Sequence, residues 1–265
     1  MLLCAHEFAA VAERVQQAPR LLVLTGAGMS AESGVPTFRE AQTGLWARFS
    51  PEDLATPQAF AATPERVLDW YRWRRDLVAK AAPNAGHRAL AQWQRGHPGM
   101  DLVTQNVDGL HQRAGSTGVV ELHGRLSHLR CEQCAQSLPW PDDDPGGVLW
   151  HQCGSGSVGG SRKSIAALAA PTGRLRPDIV WFGEALPAAA WEHAERRARE
   201  ADVVLVVGTS GLVHPAAALP SIAQRAGAYV VEVNPQPTAL SPEVDACVSG
   251  TAAEVLPQLL AMPPA

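Results

Sequence analysis

Apolar residues in this chain fall into two patterns. The first is a set of short, dense runs: Leu21–Leu24, Asp101–Thr104 (DLVT), Val119–Leu122 (VVEL), Ile179–Phe182, Val203–Val207 (VVLVV) and Tyr229–Val233 (YVVEV). They are rich in β-branched residues and lack a clean apolar–polar alternation, so they read as strands buried on both faces. The second pattern is helical. It is strongest over Glu65–Lys80 and recurs at the N-terminus, over Trp191–Ala201 and over Ala252–Leu260. Buried strands alternating with helices predict an α/β fold: a Rossmann-like parallel sheet with helices on both faces. Two stretches depart from this plan. Residues 42–82 are punctuated by Pro51, Pro57 and Pro64. From Arg130 to Gly173 the periodicity fails, and an acidic Pro-Asp run, a Gly/Ser stretch and three of the five cysteines appear instead. That segment reads as a small inserted module, poorly able to form a core of its own. The expected division is a large domain from 1–40, 83–124 and 175–265, with a smaller one from 41–82 and 125–174.

Composition narrows the function. At 265 residues, 46% hydrophobic and 18% charged, the chain can bury a substantial core as one large domain or two unequal ones. A net charge of −4 argues against a nucleic-acid or membrane-surface partner. The N-terminus carries Glu7 and Glu13 and no basic leader, so it reads as an amphipathic helix rather than a signal peptide. Five cysteines, an odd and unevenly spread set, do not suggest a secreted disulfide framework. A cytoplasmic monomer is expected.

Chemistry gathers at the ends of the buried runs. After Leu24 comes Thr25–Arg39, in which Gly26, Gly28 and Ala31 satisfy G-x-G-x-x-G/A. Such a turn brings backbone N–H groups close to a pyrophosphate, although alone it is as readily a structural turn. Ser33-Gly34-Val35-Pro36 then stops the helix within about two turns, so the rest reads as a lid ending in Phe38-Arg39. Gln105-Asn106-Val107-Asp108, His123-Gly124, Gly208-Thr209-Ser210 and Asn234-Pro235 occupy the other run ends, where open α/β sheets bind ligands. Asn and Asp there could equally be turn formers. His123 has the side chain suited to accept a proton near neutrality.

Taken as an ordered set, GAGMSAESGVPTFR (26–39), QNVD (105–108), HG (123–124), GTS (208–210) and VN (233–234) resembles the sirtuins, NAD-dependent protein-lysine deacylases. The resemblance covers nearly the whole chain, from about Leu21 to Leu260. It implies NAD as a consumed co-substrate. Gly26, Ala27, Gly28, Ser30 and Ala31 would hold the pyrophosphate, with Glu32, Thr37, Phe38 and Arg39 closing over the nicotinamide ribose. Gln105, Asn106, Val107 and Asp108 would bind ribose and nicotinamide. Gly208, Thr209, Ser210, Asn234, Pro235, Gln236 and Ala252 would meet the phosphate, ribose and adenosine. In the implied mechanism a lysine acyl oxygen attacks the ribose carbon bearing nicotinamide. His123 then acts as base on a ribose hydroxyl, with Asn106 the second residue implied in catalysis through its hydrogen bonds to ribose hydroxyls, and the acyl group ends on ADP-ribose.

A finer resemblance concerns the substrate. Tyr71 and Arg74, at i,i+3 on one helical face, can clamp a carboxylate; a solvated basic face is the plainer reading of Arg72, Arg74 and Arg75. Y-x-x-R in this place resembles the class III sirtuins, whose pockets accept succinyl and malonyl groups. Asp53–Phe60 (DLATPQAF) also resembles that class, Ala59 leaving room for a longer acyl chain. The family places the substrate peptide between two segments that match Val180–Glu184 and Ser210–Pro215, which assigns Phe182, Gly183, Glu184 and Val213 to substrate binding by strand addition. Sirtuins usually carry a structural zinc on two Cys-x-x-Cys pairs. Cys131 and Cys134 supply the first and Cys153 begins the second, but the fourth cysteine is missing. His151 is the nearest substitute and His128 a more distant one; a decayed knuckle with free thiols is an equal alternative. Across function classes, a protein ADP-ribosyltransferase and a non-catalytic NAD-binding module are the competing readings. A dehydrogenase is disfavoured, because the acidic residue expected about 20 positions after the glycines falls in the proline-broken segment.

Overall fold

The structure is a computed structural model and describes residues 5–36, 47–154, 158–159 and 171–261. Its main sheet contains β1 (Leu21–Thr25), β2 (Met100–Thr104), β3 (Val120–Glu121), β9 (Val203–Val207), β10 (Tyr229–Asn234) and β11 (Ala246–Ser249), in the order β11-β10-β9-β1-β2-β3. All neighbours are parallel; Leu21 pairs with Met100 on one side and with Val203 on the other. The unbroken apolar runs follow from burial on both faces. Leu21, Val23, Val203, Leu205 and Val207 point to one layer, formed with α1 (Ala5–Gln17), α5 (Ala85–Gly96) and α9 (Ala252–Leu259). Leu22, Leu24, Val204 and Val206 point to the other, formed with α7 (Ala188–Glu200) and α8 (Leu219–Arg225).

β1 is the hinge of this topology. The chain leaves it towards β2 on one side and is joined by β9 on the other. Adjacent parallel strands whose connections run in opposite directions leave a crevice at their C-terminal ends. As the sequence requires, no full helix follows β1: a 3-10 segment, Ala27–Ser33, ends on Gly34 at φ 79°.

The cysteine-bearing segment, expected to be poorly able to form a core of its own, folds as a sheet whose core is shared with the helices of the proline-punctuated stretch. β4 (Gly124–Cys131), β5 (Ser137–Pro139), β6 (Trp150–Gln152), β7 (Val158–Gly159) and β8 (Thr172–Ile179) form a second, antiparallel sheet, ordered β5-β4-β8-β6-β7. Leu129, Leu138, Leu149 and Leu175 pack with Leu54, Phe60, Leu68 and Trp70 from α2 (Pro51–Leu54), α3 (Pro57–Ala62) and α4 (Pro64–Lys80). The prolines initiate these helices rather than break them: each begins at a proline, with Ser50 and Thr56 capping the first two. The acidic run is docked rather than loose. Arg72 binds Asp144 at 2.8 and 3.1 Å, and Arg75 reaches Pro141 O and Asp142.

Candidate functional site

The crevice beside β1 is built by glycines in backbone contact. Gly28 N–H donates to Gly208 O at 2.8 Å. A Cβ on Gly208 would lie 2.4 Å from Met29 N, and one on Gly26 would lie 2.8 Å from Gly208 O. Gly208 also takes φ +60°, where other residues are strained. Ala27 and Ala31 stand exposed on the outer side of this turn. Three strand ends are tied across the crevice: Gln105 Nε2 donates to Thr209 Oγ1 at 3.3 Å, and Asn234 Nδ2 to Thr209 O at 2.9 Å. Ser210 lies exposed beyond Thr209. Asn234, Pro235 and Gln236 line a cleft of about 840 Å³ that runs past Glu232 and Cys247.

Asn106 and Asp108 turn into the crevice at the end of β2. Asn106 Nδ2 donates to Gly26 O at 2.9 Å and to Ser30 Oγ at 3.1 Å, while Ser30 Oγ donates to Asp108 Oδ2 at 2.7 Å. Leu110 N–H holds the other carboxylate oxygen at 2.9 Å. Burial pushes the Asp108 carboxyl up, opposed by those hydrogen bonds and by the charges of Arg74 and Arg113. Under this layer lie residues the sequence reading missed. Asn84 and His87 form a reciprocal capping box at the start of α5; Asn84 N–H donates to His87 Nδ1, leaving Nε2–H to face Ser30 Oγ at 3.4 Å. His111 Nε2 lies 3.0 Å from Thr25 Oγ1, which donates to Thr104 Oγ1 at 2.8 Å. The two imidazoles sit 4.8 Å apart, and burial lowers their pKa values to about 4 for His87 and about 3 for His111. The signal that could have found His87 is the Asn-x-x-His capping spacing; His111 had none.

His123 follows β3 directly. Its Nδ1–H donates to Gln105 O at 3.0 Å. A carbonyl can only accept, so this bond fixes the tautomer with Nε2 as the basic nitrogen. Burial lowers the His123 pKa, partly offset by that same bond, which favours the neutral ring. Gly124 is obligatory beside it, since a Cβ there would fall 2.0 Å from Asp178 O. Val180 N–H donates to His123 O at 2.9 Å, joining the histidine to the segment that follows β8.

A family model described as the Sir2 family matches residues 26–215. The chain belongs to the Sir2 family, the sirtuins. It is 47% identical over 254 residues to "NAD-dependent protein deacylase 2" of Pyrobaculum aerophilum, covering 94% of this chain and 93% of that one. It is 48% identical over 250 residues to an NAD-dependent protein deacylase of Mycolicibacterium paratuberculosis, covering 93% and 98%. Among solved structures, a Sir2 homolog–NAD complex superposes with a TM-score of 0.81 at 41% identity, covering 95% of this chain and 92% of that one. Sir2Af2 bound to a myristoylated histone peptide superposes with a TM-score of 0.71 at 32% identity, covering 97% and 96%.

In this sirtuin, α4 sorts its arginines by face. Arg72 and Arg75 pair with the acidic run. The Arg74 guanidinium lies 5.9 Å from the Trp70 ring centroid; burial lowers its pKa, opposed by the charges of Tyr71 and Asp108. The Tyr71 hydroxyl is 1% exposed as a residue, accepts from Trp181 Nε1–H at 2.9 Å, and is pushed up to about 12 by burial. Ala59 is half-buried on α3, next to Phe60, whose ring lies 5.3 Å from that of Trp181. Beyond Trp181, Phe182 (51% exposed), Leu212 and Val213 (44%) present apolar surface on the two segments assigned to peptide binding. Gly183 makes the intervening turn at φ +84°. Glu184 faces inwards: it takes Arg176 at 2.5 and 2.7 Å and accepts Trp181 N–H at 2.8 Å, which makes it a strut of this segment. Glu32 likewise accepts Ala253 N–H at 3.1 Å, next to buried Ala252 at the start of α9. Thr37, Phe38 and Arg39 lie outside the described residues.

Cys131, Cys134, His151 and Cys153 bring one ligand atom each to within 4.8 Å of one another. Zn–S bonds of about 2.3 Å in a tetrahedron set sulfur atoms about 3.8 Å apart, and Cys131 and Cys153 stand at 3.9 Å. Gly173 makes the room, since a Cβ there would fall 2.2 Å from Cys131 Sγ. His151 is fully buried and its Nε2 is fixed by Gln136 Oε1 at 3.1 Å, the kind of outer contact that orients a metal-bound imidazole. The donor set fits zinc. His128 is not in this group; it pairs with Ser127 on β4.

Proposed function

We propose that this sirtuin is an NAD-dependent protein-lysine deacylase that removes acidic acyl groups, succinyl and malonyl, with acetyl weaker or comparable. Relatives named NAD-dependent protein deacylase over nearly the whole chain support the coarser part. The acyl preference rests on one observation: Tyr71 and Arg74 share a face of α4 from which Arg72 and Arg75 are withdrawn by Asp144 and Asp142. A guanidinium drawn below its ordinary range by burial gains from a carboxylate, and a phenol held at about 12 remains a donor.

NAD supplies the electrophilic ribose carbon and the leaving nicotinamide. The chain does the rest. The Gly26–Ala31 turn receives the pyrophosphate, and Gln105, Asn106, Val107 and Asp108 hold the ribose and nicotinamide end. Gly208, Thr209, Ser210, Asn234, Pro235 and Gln236 border the adenosine side. The substrate peptide lies between Val180–Glu184 and Ser210–Pro215, its acyl chain passing Ala59 towards Arg74. His123 Nε2, basic because Nδ1–H is committed to Gln105 O, takes the proton of a ribose hydroxyl. The acyl group leaves as O-acyl-ADP-ribose. Cys131, Cys134, Cys153 and His151 would hold a zinc ion, which would cross-link the end of β4 and its following turn to β6 and the residue after it.

Matched acetyl-, malonyl- and succinyl-lysine peptides, incubated with the enzyme and NAD, test this by mass. The expected result is NAD-dependent loss of succinyl and malonyl groups at least as fast as acetyl, abolished in His123→Ala. Loss of acetyl alone contradicts the acyl preference. Transfer of ADP-ribose to protein without acyl loss contradicts the reaction.

A further inference from the structure

Tyr71 cannot choose for itself which way its hydroxyl hydrogen points. Its oxygen is buried and accepts the Trp181 indole N–H at 2.9 Å. Indole N–H only donates, so the Tyr71 hydrogen is excluded from that contact and needs another acceptor. Among the described residues no hydrogen bond donated by Tyr71 is seen; Glu184, the carboxylate whose charge acts on the phenol, is bound instead by Arg176 and the Trp181 backbone N–H. A buried hydroxyl hydrogen without an acceptor costs free energy that a bound acceptor recovers.

Trp181 is itself immobilised. The Arg176 guanidinium lies 3.4 Å from its ring centroid, the Phe60 ring lies 5.3 Å away on α3, and Glu184 holds its backbone N–H. The indole N–H is therefore a fixed donor aimed at Tyr71, with Tyr71 ring and indole centroids 6.4 Å apart. Trp181 also precedes Phe182, on the segment assigned to the peptide, so one short stretch of chain touches both the peptide groove and the acyl end of the pocket.

We propose that Trp181 is a positioning residue for acyl selectivity: by occupying the Tyr71 oxygen with a donor, it turns the Tyr71 hydrogen towards the acyl carboxylate beside Arg74. This rests on the acidic-acyl reading above and adds a residue to it. A neutral acetyl group has no carboxylate to receive that hydrogen, so the effect is confined to acidic acyl chains. An aromatic of similar shape without the N–H would no longer exclude the phenol hydrogen from that side, so the hydroxyl would lose its fixed orientation.

The test compares kcat/KM for succinyl- and acetyl-lysine peptides of one sequence in wild type, Trp181→Phe, Tyr71→Phe and the double variant. Trp181→Phe is expected to lower the succinyl-to-acetyl ratio about tenfold, mainly through KM for the succinyl peptide. Added to Tyr71→Phe it should lower the ratio no further, because its effect passes through the phenol. Acetyl-lysine turnover reports folding in every variant. Should Trp181→Phe lose acetyl turnover too, replacing the indole by the isosteric benzothiophene removes the N–H alone and is read in the same way. A ratio unchanged by loss of the N–H, or two losses that multiply, overturns the role of Trp181 while leaving the clamp standing. A wild type without succinyl preference overturns both together, and the Tyr71→Phe arm tells these cases apart.

Discussion

Asp108, Asn106 and Ser30 show how single side chains at a strand end acquire a defined geometry. Each is a common turn former, and each here is held by a partner from another element: Gly26, Leu110 or His87. The layer beneath them has a measurable cost. His87 and His111 stay neutral in the folded chain down to about pH 4 and about pH 3, whereas in the unfolded chain both titrate near 6.5. Below pH 6.5 the unfolded state takes up protons that the folded state refuses. Stability should therefore be fully present above pH 6.5 and fall as pH drops towards the folded values, by up to about 1.4 kcal/mol per pH unit for each histidine. Denaturant unfolding at pH 7.0 and 5.0 checks this. A smaller loss in His87→Gln supports the account, and a wild type equally stable at both pH values contradicts it.

At the scale of elements, α4 and the second sheet explain each other. Arg72, Arg74 and Arg75 look alike in sequence; in the fold the docked acidic run takes Arg72 and Arg75, while Arg74 lies by the Trp70 ring. The second sheet was illegible for a related reason. β5 and β6 are three residues each and β7 two, too short to show a period, and their apolar surface is completed by helices far away in sequence. The metal cluster follows the same logic, because His151 is brought beside Cys131 and Cys134 only by the pairing of β6 with β8 and of β8 with β4. One zinc per chain is expected by elemental analysis, with His151→Ala nearly metal-free and melting several degrees lower. A folded, active wild type without zinc contradicts this ligand set.

For the molecule as a whole, the legible part of the sequence was the part fixed by local physics. Val203–Val207 could only be a doubly buried strand, and Pro36 could only stop the segment after Gly34. The glycines were visible, but their reason was not: Gly28 and Gly208 are small because two loops 180 residues apart touch backbone to backbone. Likewise Trp181 could be read from the sequence only as part of the segment Val180–Glu184; its contact with Tyr71 arises when β8 carries it against α4. Asp108 at the end of β2 and Arg74 on α4 act on each other's charge, which links the crevice beside β1 to α4.

The most direct measurement is the succinyl-to-acetyl ratio of kcat/KM in wild type and in the Tyr71→Phe/Arg74→Met double variant. Charge-assisted hydrogen bonds of about 1.5–3 kcal/mol predict a fall in that ratio of roughly ten- to a hundredfold, with acetyl-lysine turnover retained. Succinyl and acetyl activities that fall together would contradict the account.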